Sequence, residues 1–211
     1  GNWQQAKLVV IGDYMLDRYV YGNADRLSPD APVPVLTVQR DETQPGGAAN
    51  VCLDLIALQC KVACLGLVGN DPAGRQLRDA LETAGCDTTG LIATSERPTT
   101  LKHNFVGLAQ HRHPQKMFRV DEESQKPIPR QLMRKLLTQA RRLLKGAAAL
   151  CIEDLNKGVI THELCQELIN LARKRGVPVL VDPARVDDYR KYRGATCIAP
   201  NRTEASLAMG I

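Results

Sequence analysis

Aromatic side chains are scarce, at 4% of residues. That argues against the base-stacking platforms of single-stranded nucleic-acid binders. No apolar run approaches the ~18 residues of a membrane-spanning helix. The first residues lack a basic segment leading into a long apolar core, so no secretory leader is expected. Cysteines are odd in number and scattered singly, at positions 52, 60, 64, 86, 151, 165 and 197. Cys60 and Cys64 lie four apart, but no second pair stands at zinc spacing. Several fall inside apolar runs, where a reduced buried thiol is the natural role. The expectation is a cytoplasmic protein without a metal cluster. Neither Gly-x-Gly-x-x-Gly nor Gly-x-x-x-x-Gly-Lys-Ser/Thr occurs, which counts against a general nucleotide-binding α/β domain. The four histidines form no metal set, and His111 and His113 fall in an expected loop tip. An excess of one charge is also missing: 28 basic against 23 acidic residues leave +5. This balance is compatible with phosphorylated substrates. The densest basic cluster, Arg134 to Lys145, has leucines between its charges and reads as the solvated face of a helix.

What is present begins with Pro45-Gly46-Gly47-Ala48-Ala49-Asn50, set before an amphipathic stretch expected as a helix over Val51–Leu58. Paired glycines allow a tight turn and a close approach to a ligand. A helix start offers N–H groups to an anion, and Asn50 adds an amide; an ordinary turn before a helix is the plain alternative. Apolar strand-like runs recur at Leu8–Ile11, Val62–Val68, Ala147–Ile152, Val177–Val181 and Thr196–Ala199. Helical periodicity separates several of them, over Ala73–Ala84, Arg130–Leu144 and His162–Arg175. Such alternation predicts an α/β fold with a parallel sheet covered on both faces. Ligands then belong at the carboxyl ends of the strands. Gly12-Asp13, Glu153-Asp154, Asp182-Pro183 and Pro200-Asn201 all stand at such ends.

Three segments break this rhythm. Tyr14–Tyr21, Val33–Val38 and Thr99–Asp121 alternate like exposed or edge strands. Gln110–Gln115 and Glu123–Pro129 are expected as loop tips. A chain of 211 residues has room for one sizeable core with a small lid.

The ordered series Gly-Asp-Tyr-Met-Leu-Asp-Arg-Tyr, Ser-Pro-Asp-Ala-Pro-Val-Pro-Val and Pro-Gly-Gly-Ala-Ala-Asn-Val resembles the start of the ribokinase-like (PfkB) sugar kinases. Within them it looks most like the heptose-7-phosphate kinase branch, and the resemblance covers nearly the whole chain. It implies a three-layer α/β/α fold with a small β-sheet lid over about 14–38 and 99–121. It also implies ATP and Mg²⁺ as cofactors, a sugar or sugar phosphate as substrate, and a homodimer through the lid. No nucleic-acid or membrane partner is implied.

By the same resemblance, Asp13, Asp17, Gly46, Gly47, Asn50, Lys102, Arg119, Asp121 and Asp154 face the sugar or its phosphate. Lys157, Asp182, Asn201 and Glu204 face the nucleotide phosphates, with Glu204 touching Mg²⁺ indirectly. Several have a structural alternative. Asp13 and Asp17 can serve a turn, Lys102 and Arg119 can blunt an exposed edge, and Asp154 can cap the next helix. Asn201 and Glu204 can form a capping box. Two departures stand out: Asn104 replaces an expected second arginine, and Ala184-Arg185 replaces the usual lysine after Asp182-Pro183. The family's Gly-Ala-Gly-Asp element, whose aspartate is the catalytic base, is absent from the 211 residues. That base is expected downstream of Ile211, and the helix after Asn201 is expected to be still running at Gly210-Ile211. The expectation is the N-terminal part of one kinase domain, inactive alone, with a non-catalytic sugar-phosphate-binding module as the alternative.

Overall fold

The five apolar runs, with one further edge strand, become a six-stranded sheet whose pairings are all parallel. In this computed structural model, residues 4, 6–108 and 113–210 are described. The strands are β1 (Lys7–Gly12), β4 (Lys61–Gly69), β5 (Asp87–Thr94), β8 (Ala149–Glu153), β9 (Val179–Asp182) and β10 (Cys197–Ile198). Their spatial order is β10-β9-β8-β1-β4-β5. Val9, Val10, Ile11, Cys64 and Leu65 are fully buried, as strands covered on both faces require. Helices α1 (Ala48–Ala57) and α2 (Pro72–Thr83) cover one face, while α3 (Arg130–Leu143) and α4 (His162–Arg173) cover the other. On α3 the apolar residues from Leu132 to Leu143 are buried, with Arg134, Lys135, Arg141 and Arg142 exposed opposite them. The last helix is α5 (Arg202–Met209). No helix among the described residues is long and apolar enough to cross a membrane.

Chain order reverses at β1. It runs outward through β4 and β5, then returns to build β8, β9 and β10 on the other side. The crevice outside β1 and β8 is therefore the topological switch point, where open α/β sheets take their ligands. Gly12-Asp13 and Glu153-Asp154 stand at that point.

The segments that break the α/β rhythm form a second sheet. It comprises β2 (Tyr14–Leu27), β3 (Pro34–Gly47), β6 (Thr100–Gly107) and β7 (Gln115–Glu122), in the order β3-β2-β6-β7. β2 and β3 run well past the expected Tyr14–Tyr21 and Val33–Val38. They form one long antiparallel ribbon, so Gly46 and Gly47 belong to a strand rather than a free turn.

Other expectations also need correction. Gly47, at φ +54°, ends β3 and starts α1 at Ala48, three residues before the expected Val51. β5 was not anticipated, because Asp87-Thr88-Thr89-Gly90 breaks any apolar run. As an edge strand it is held from α2, where Arg78 donates to the carbonyls of Thr88 at 3.0 Å and Leu91 at 2.7 Å. Of the loop expected at Gln110–Gln115, Gln110 to Arg112, with His111, lie outside the described residues. Gln115 opens β7. Glu123–Pro129 is no free tip: Ile128 is buried and its N–H donates to the Gly158 carbonyl at 3.1 Å. Cys197 is exposed, unlike the expected buried thiols. The helix after Asn201 does not run through Gly210: α5 ends at Met209, and Gly210 caps it in the left-handed region at φ 70°, a conformation glycine adopts without a Cβ penalty. Ile211, beyond which the catalytic base is expected, lies outside the described residues.

Candidate functional site

In-register pairing gathers the lid candidates. Asp17 on β2 lies opposite Lys102 on β6, and Lys102 lies opposite Asp121 on β7. Tyr19, Asn104 and Arg119 form the next such row. Residues paired across neighbouring strands share a face, so all six project from the same side of the lid. Asn104, in place of the expected arginine, is buried and donates from Nδ2 to the Arg18 and Lys102 carbonyls, each at 3.4 Å. Arg119 is exposed and makes a two-pronged pair with Asp121, at 2.7 and 2.8 Å.

Asp17 differs from the other candidate carboxylates. Its side chain is half-buried, and no hydrogen bond or ion pair from the described residues engages it. It lies against Gly46, where a Cβ would stand 2.3 Å from Asp17 Oδ2. Glycine here is therefore a matter of space. At Gly47 the reason is twofold: a left-handed φ, and an Asp13 carbonyl 2.4 Å from any Cβ. No side chain among the described residues caps α1 at this end. Asn50 sits in its first turn, exposed, with Nδ2 3.4 Å from Asp54 Oδ2.

Asp13 and Asp154 take a more internal part. Asp13 is buried, and its Oδ2 accepts from the N–H groups of Leu155 at 2.9 Å and Lys157 at 3.1 Å. Its Oδ1 is buried without a hydrogen-bond partner among the described residues. Burial pushes the Asp13 carboxyl up, and the Lys157 N–H pulls against that rise. Asp154 does not cap α4; Thr161 does, at 3.1 Å from the Leu164 N–H. Instead Asp154 accepts from the Tyr192 hydroxyl at 2.8 Å and the Asn156 N–H at 2.9 Å, and pairs with Lys191. Its carboxylate is thus fully engaged within the fold. Together the two aspartates shape the turn 154–158, where Asn156 is left-handed at φ +58°. Lys157 ion-pairs with Glu123 at 2.6 Å.

The nucleotide-side candidates converge at the next strand ends. Asn201 and Glu204 form a reciprocal capping box at the start of α5, with the Glu204 N–H donating to Asn201 Oδ1 at 3.0 Å. Burial, then the Glu204 charge, raises the Asp182 carboxyl. Glu153 was not singled out from the sequence, since only its place beside Asp154 marks it. Burial, then the adjacent Asp182 carboxylate, pushes it up to about 7. The folded chain therefore holds this proton more tightly than the unfolded one. Below the ordinary carboxyl range near ~4.3 both states are protonated and nothing is lost. Stability then declines as pH rises to about 7, because the unfolded chain ionises first. Glu153→Gln is expected to flatten the fall in denaturation midpoint over this range and to raise the midpoint at pH 8. A wild-type midpoint that climbs across the same window contradicts this.

Arg97 was also missed. Burial lowers its pKa and Asp13 counters that. Its guanidinium donates to the carbonyls of Ser124 and Lys157. It stands just before the lid strand β6, with no local signal to mark it.

Three hollows lie near these residues, and one of about 390 Å³ is lined by Val51, Glu153, Asp182 and Cys197. A second, of about 400 Å³, separates the lid from the start of α2 and is lined by Leu16, Arg18, Asp41 and Gln76, on the face of the lid opposite Asp17 and Lys102. Another of about 310 Å³ lies over the strand ends, lined by Asn156, Lys157, Arg185 and Glu204. A hollow of about 480 Å³ on the outer side of α3 is remote from every candidate.

A parallel sheet with its crevice at the β1/β8 switch point and a four-stranded flap beside it is the ribokinase-like α/β fold. Arabidopsis thaliana ribokinase, solved with ribose and ATP, superposes with a TM-score of 0.67 at 18% identity, over 97% of this chain and 63% of that one. The chain belongs to the pfkB family of carbohydrate kinases, whose profile matches residues 5–211. It is 40% identical over 204 residues to the Bifunctional protein HldE of Wolinella succinogenes, across 97% of this chain and 42% of that protein. The same protein of Geobacter metallireducens is 42% identical over 203 residues, across 96% of this chain and 40% of the relative. The chain thus spans about two-fifths of the length of these curated relatives.

Proposed function

We propose that these residues form the acceptor-binding part of an ATP-dependent, cytoplasmic carbohydrate kinase. Its acceptor is a sugar phosphate, heptose 7-phosphate first, phosphorylated at the anomeric hydroxyl. One observation carries this reading: the Asp17 carboxylate lies against Gly46 and accepts no hydrogen bond and makes no ion pair among the described residues, with Arg119 acting on it only through its charge. An ionised carboxylate accepts several hydrogen bonds from hydroxyls, so Asp17 holds the sugar. Lys102 and Arg119, on the same face, supply donors for a phosphate of about −1.5 to −2 charges. Gly46 leaves the space that the Asp17 carboxylate takes and Gly47 turns the chain into α1, so the two glycines shape the sugar site, with Asn50 at its side.

Lys157, Asp182, Asn201 and Glu204 face the nucleotide in this reading. Glu204 offers the oxygen donors that Mg²⁺ favours and would touch the ion indirectly, since no three acidic, histidine or cysteine side chains among the described residues group closely enough to hold a metal themselves. MgATP supplies the phosphoryl group when bound. No base for the acceptor hydroxyl is assigned within the 211 residues.

Calorimetric titration with heptose 7-phosphate, fructose 6-phosphate and ribose tests the reading. Heptose 7-phosphate is expected to bind at least about tenfold tighter than ribose, as hydrogen bonds to a charged group contribute. Purified 1–211 is expected to show no ATP-dependent phosphorylation of any of the three. Equal affinities contradict the sugar-phosphate assignment, and robust turnover contradicts the division of labour.

A further inference from the structure

Lys157 is already occupied. Its ammonium lies 2.7 Å from Glu123 Oε1 and 2.6 Å from Oε2, and the two side chains are only 17% and 15% exposed. Burial raises the Glu123 carboxyl, but Lys157 and Gln125 outweigh it and hold the group below its usual range. Glu123 directly follows β7, and the segment it begins is stitched to the turn 154–158. Arg97 ties the Ser124 and Lys157 carbonyls together. Gly158 packs so closely that a Cβ would stand 2.3 Å from the Lys126 carbonyl.

A cation on the lid itself offers a contrast. Arg119 pairs with Asp121 in the open, with 53% and 25% of the side chains exposed; such pairs contribute little and exchange partners freely. The largely buried Glu123–Lys157 pair cannot open without another anion taking its place, because an unpaired charge there is strongly unfavourable. Lys157 also lines the hollow over the strand ends, with Arg185 beside it, so a second anion has a way in.

We infer that Glu123 is an internal counter-ion which a ligand phosphate displaces from Lys157, and that the displacement releases the β7 end of the lid. The inference rests on the assignment of Lys157 to phosphate made above. Phosphate and lid carboxylate then compete for one ammonium, and by reciprocity lid release and phosphate binding favour one another.

Inorganic phosphate is the probe that isolates this competition, whatever sugar the cleft accepts. Calorimetry on the whole 211-residue chain is expected to give about tenfold tighter phosphate binding in Glu123→Gln, near the low end of typical coupling. The gain should vanish when Lys157→Met is added. Parallel titrations with ADP and with fructose 6-phosphate show which source of phosphate gains equally. Unchanged phosphate affinity in Glu123→Gln, or a gain that survives Lys157→Met, overturns the inference. Because Glu123→Gln strands the lysine, a measurement on the unaltered chain stands beside it. Amide hydrogen exchange at residues 123–126 should speed up when phosphate is added. Unchanged or slower exchange there overturns the inference as well. A failed sugar titration leaves this result standing, so the two readings fail separately.

Discussion

Gly12→Ala is expected to destabilise the chain by about 3 kcal/mol or more, toward the upper end of overpacking costs. In a chain of this size that lowers the thermal midpoint by roughly 10 °C. The added Cβ would stand 2.2 Å from the Glu153 carbonyl and 3.0 Å from the Ala48 Cβ. Neither neighbour can yield. Gly12 pairs with Glu153 in the parallel ladder of β1 and β8, and the Asp13 N–H donates to the same carbonyl at 3.2 Å. Ala48 is fully buried at the start of α1. The two central strands must separate at the switch point, which also disturbs the Asp13 bonds to the turn 154–158. Thermal or urea denaturation reads the effect directly. A midpoint within 2 °C of wild type (about 0.5 kcal/mol by the same scaling) would contradict the packing described for this crevice.

Asp17→Asn is expected to act in the opposite way, sparing the fold and abolishing most of the binding. The amide keeps the shape of the carboxylate, and no bond to a described residue is lost. Stability should stay within about 0.5 kcal/mol of wild type. Sugar affinity should fall about 100-fold, the loss expected when one or two hydrogen bonds to an ionised group are weakened. Paired calorimetry and denaturation curves separate the two effects. Gly46→Ala should reproduce the binding loss, because its Cβ displaces the same carboxylate. Wild-type affinity in Asp17→Asn would remove this residue from the acceptor site.

The contrast between these aspartates shows what could be read from residues alone. The α/β rhythm was plain, because β1, β4, β8 and β9 are apolar runs ending in Gly or an acidic residue and separated by amphipathic helices. β5 was hidden because an edge strand tolerates Asp and Thr where a central one does not. The extent of the ribbon β2–β3 was hidden because its register depends on pairing, which single-strand alternation does not reveal. Asp13, Asp17 and Asp154 look equivalent as polar residues after a strand or within an exposed one. Only the partners brought by distant segments divide them: Tyr192 and Lys191 claim Asp154, the turn 154–158 claims half of Asp13, and no described residue claims Asp17. Glu123 and Arg97 were invisible for the same reason. A carboxylate after an exposed strand and an arginine before a Pro carry no local signal, and each gains its role from contact with Lys157.

The central claim is that Asp17, Gly46, Gly47, Asn50 and Lys102 line one sugar-phosphate cleft beside the switch point. Amide chemical shifts during titration with heptose 7-phosphate test it most directly. The account predicts saturable shifts concentrated at Gly46, Gly47, Asn50 and Lys102, largely lost in Asp17→Asn. Shifts confined to the outer side of α3, around Gln131 and Arg134, or shifts at the glycines that persist unchanged in Asp17→Asn, would contradict it.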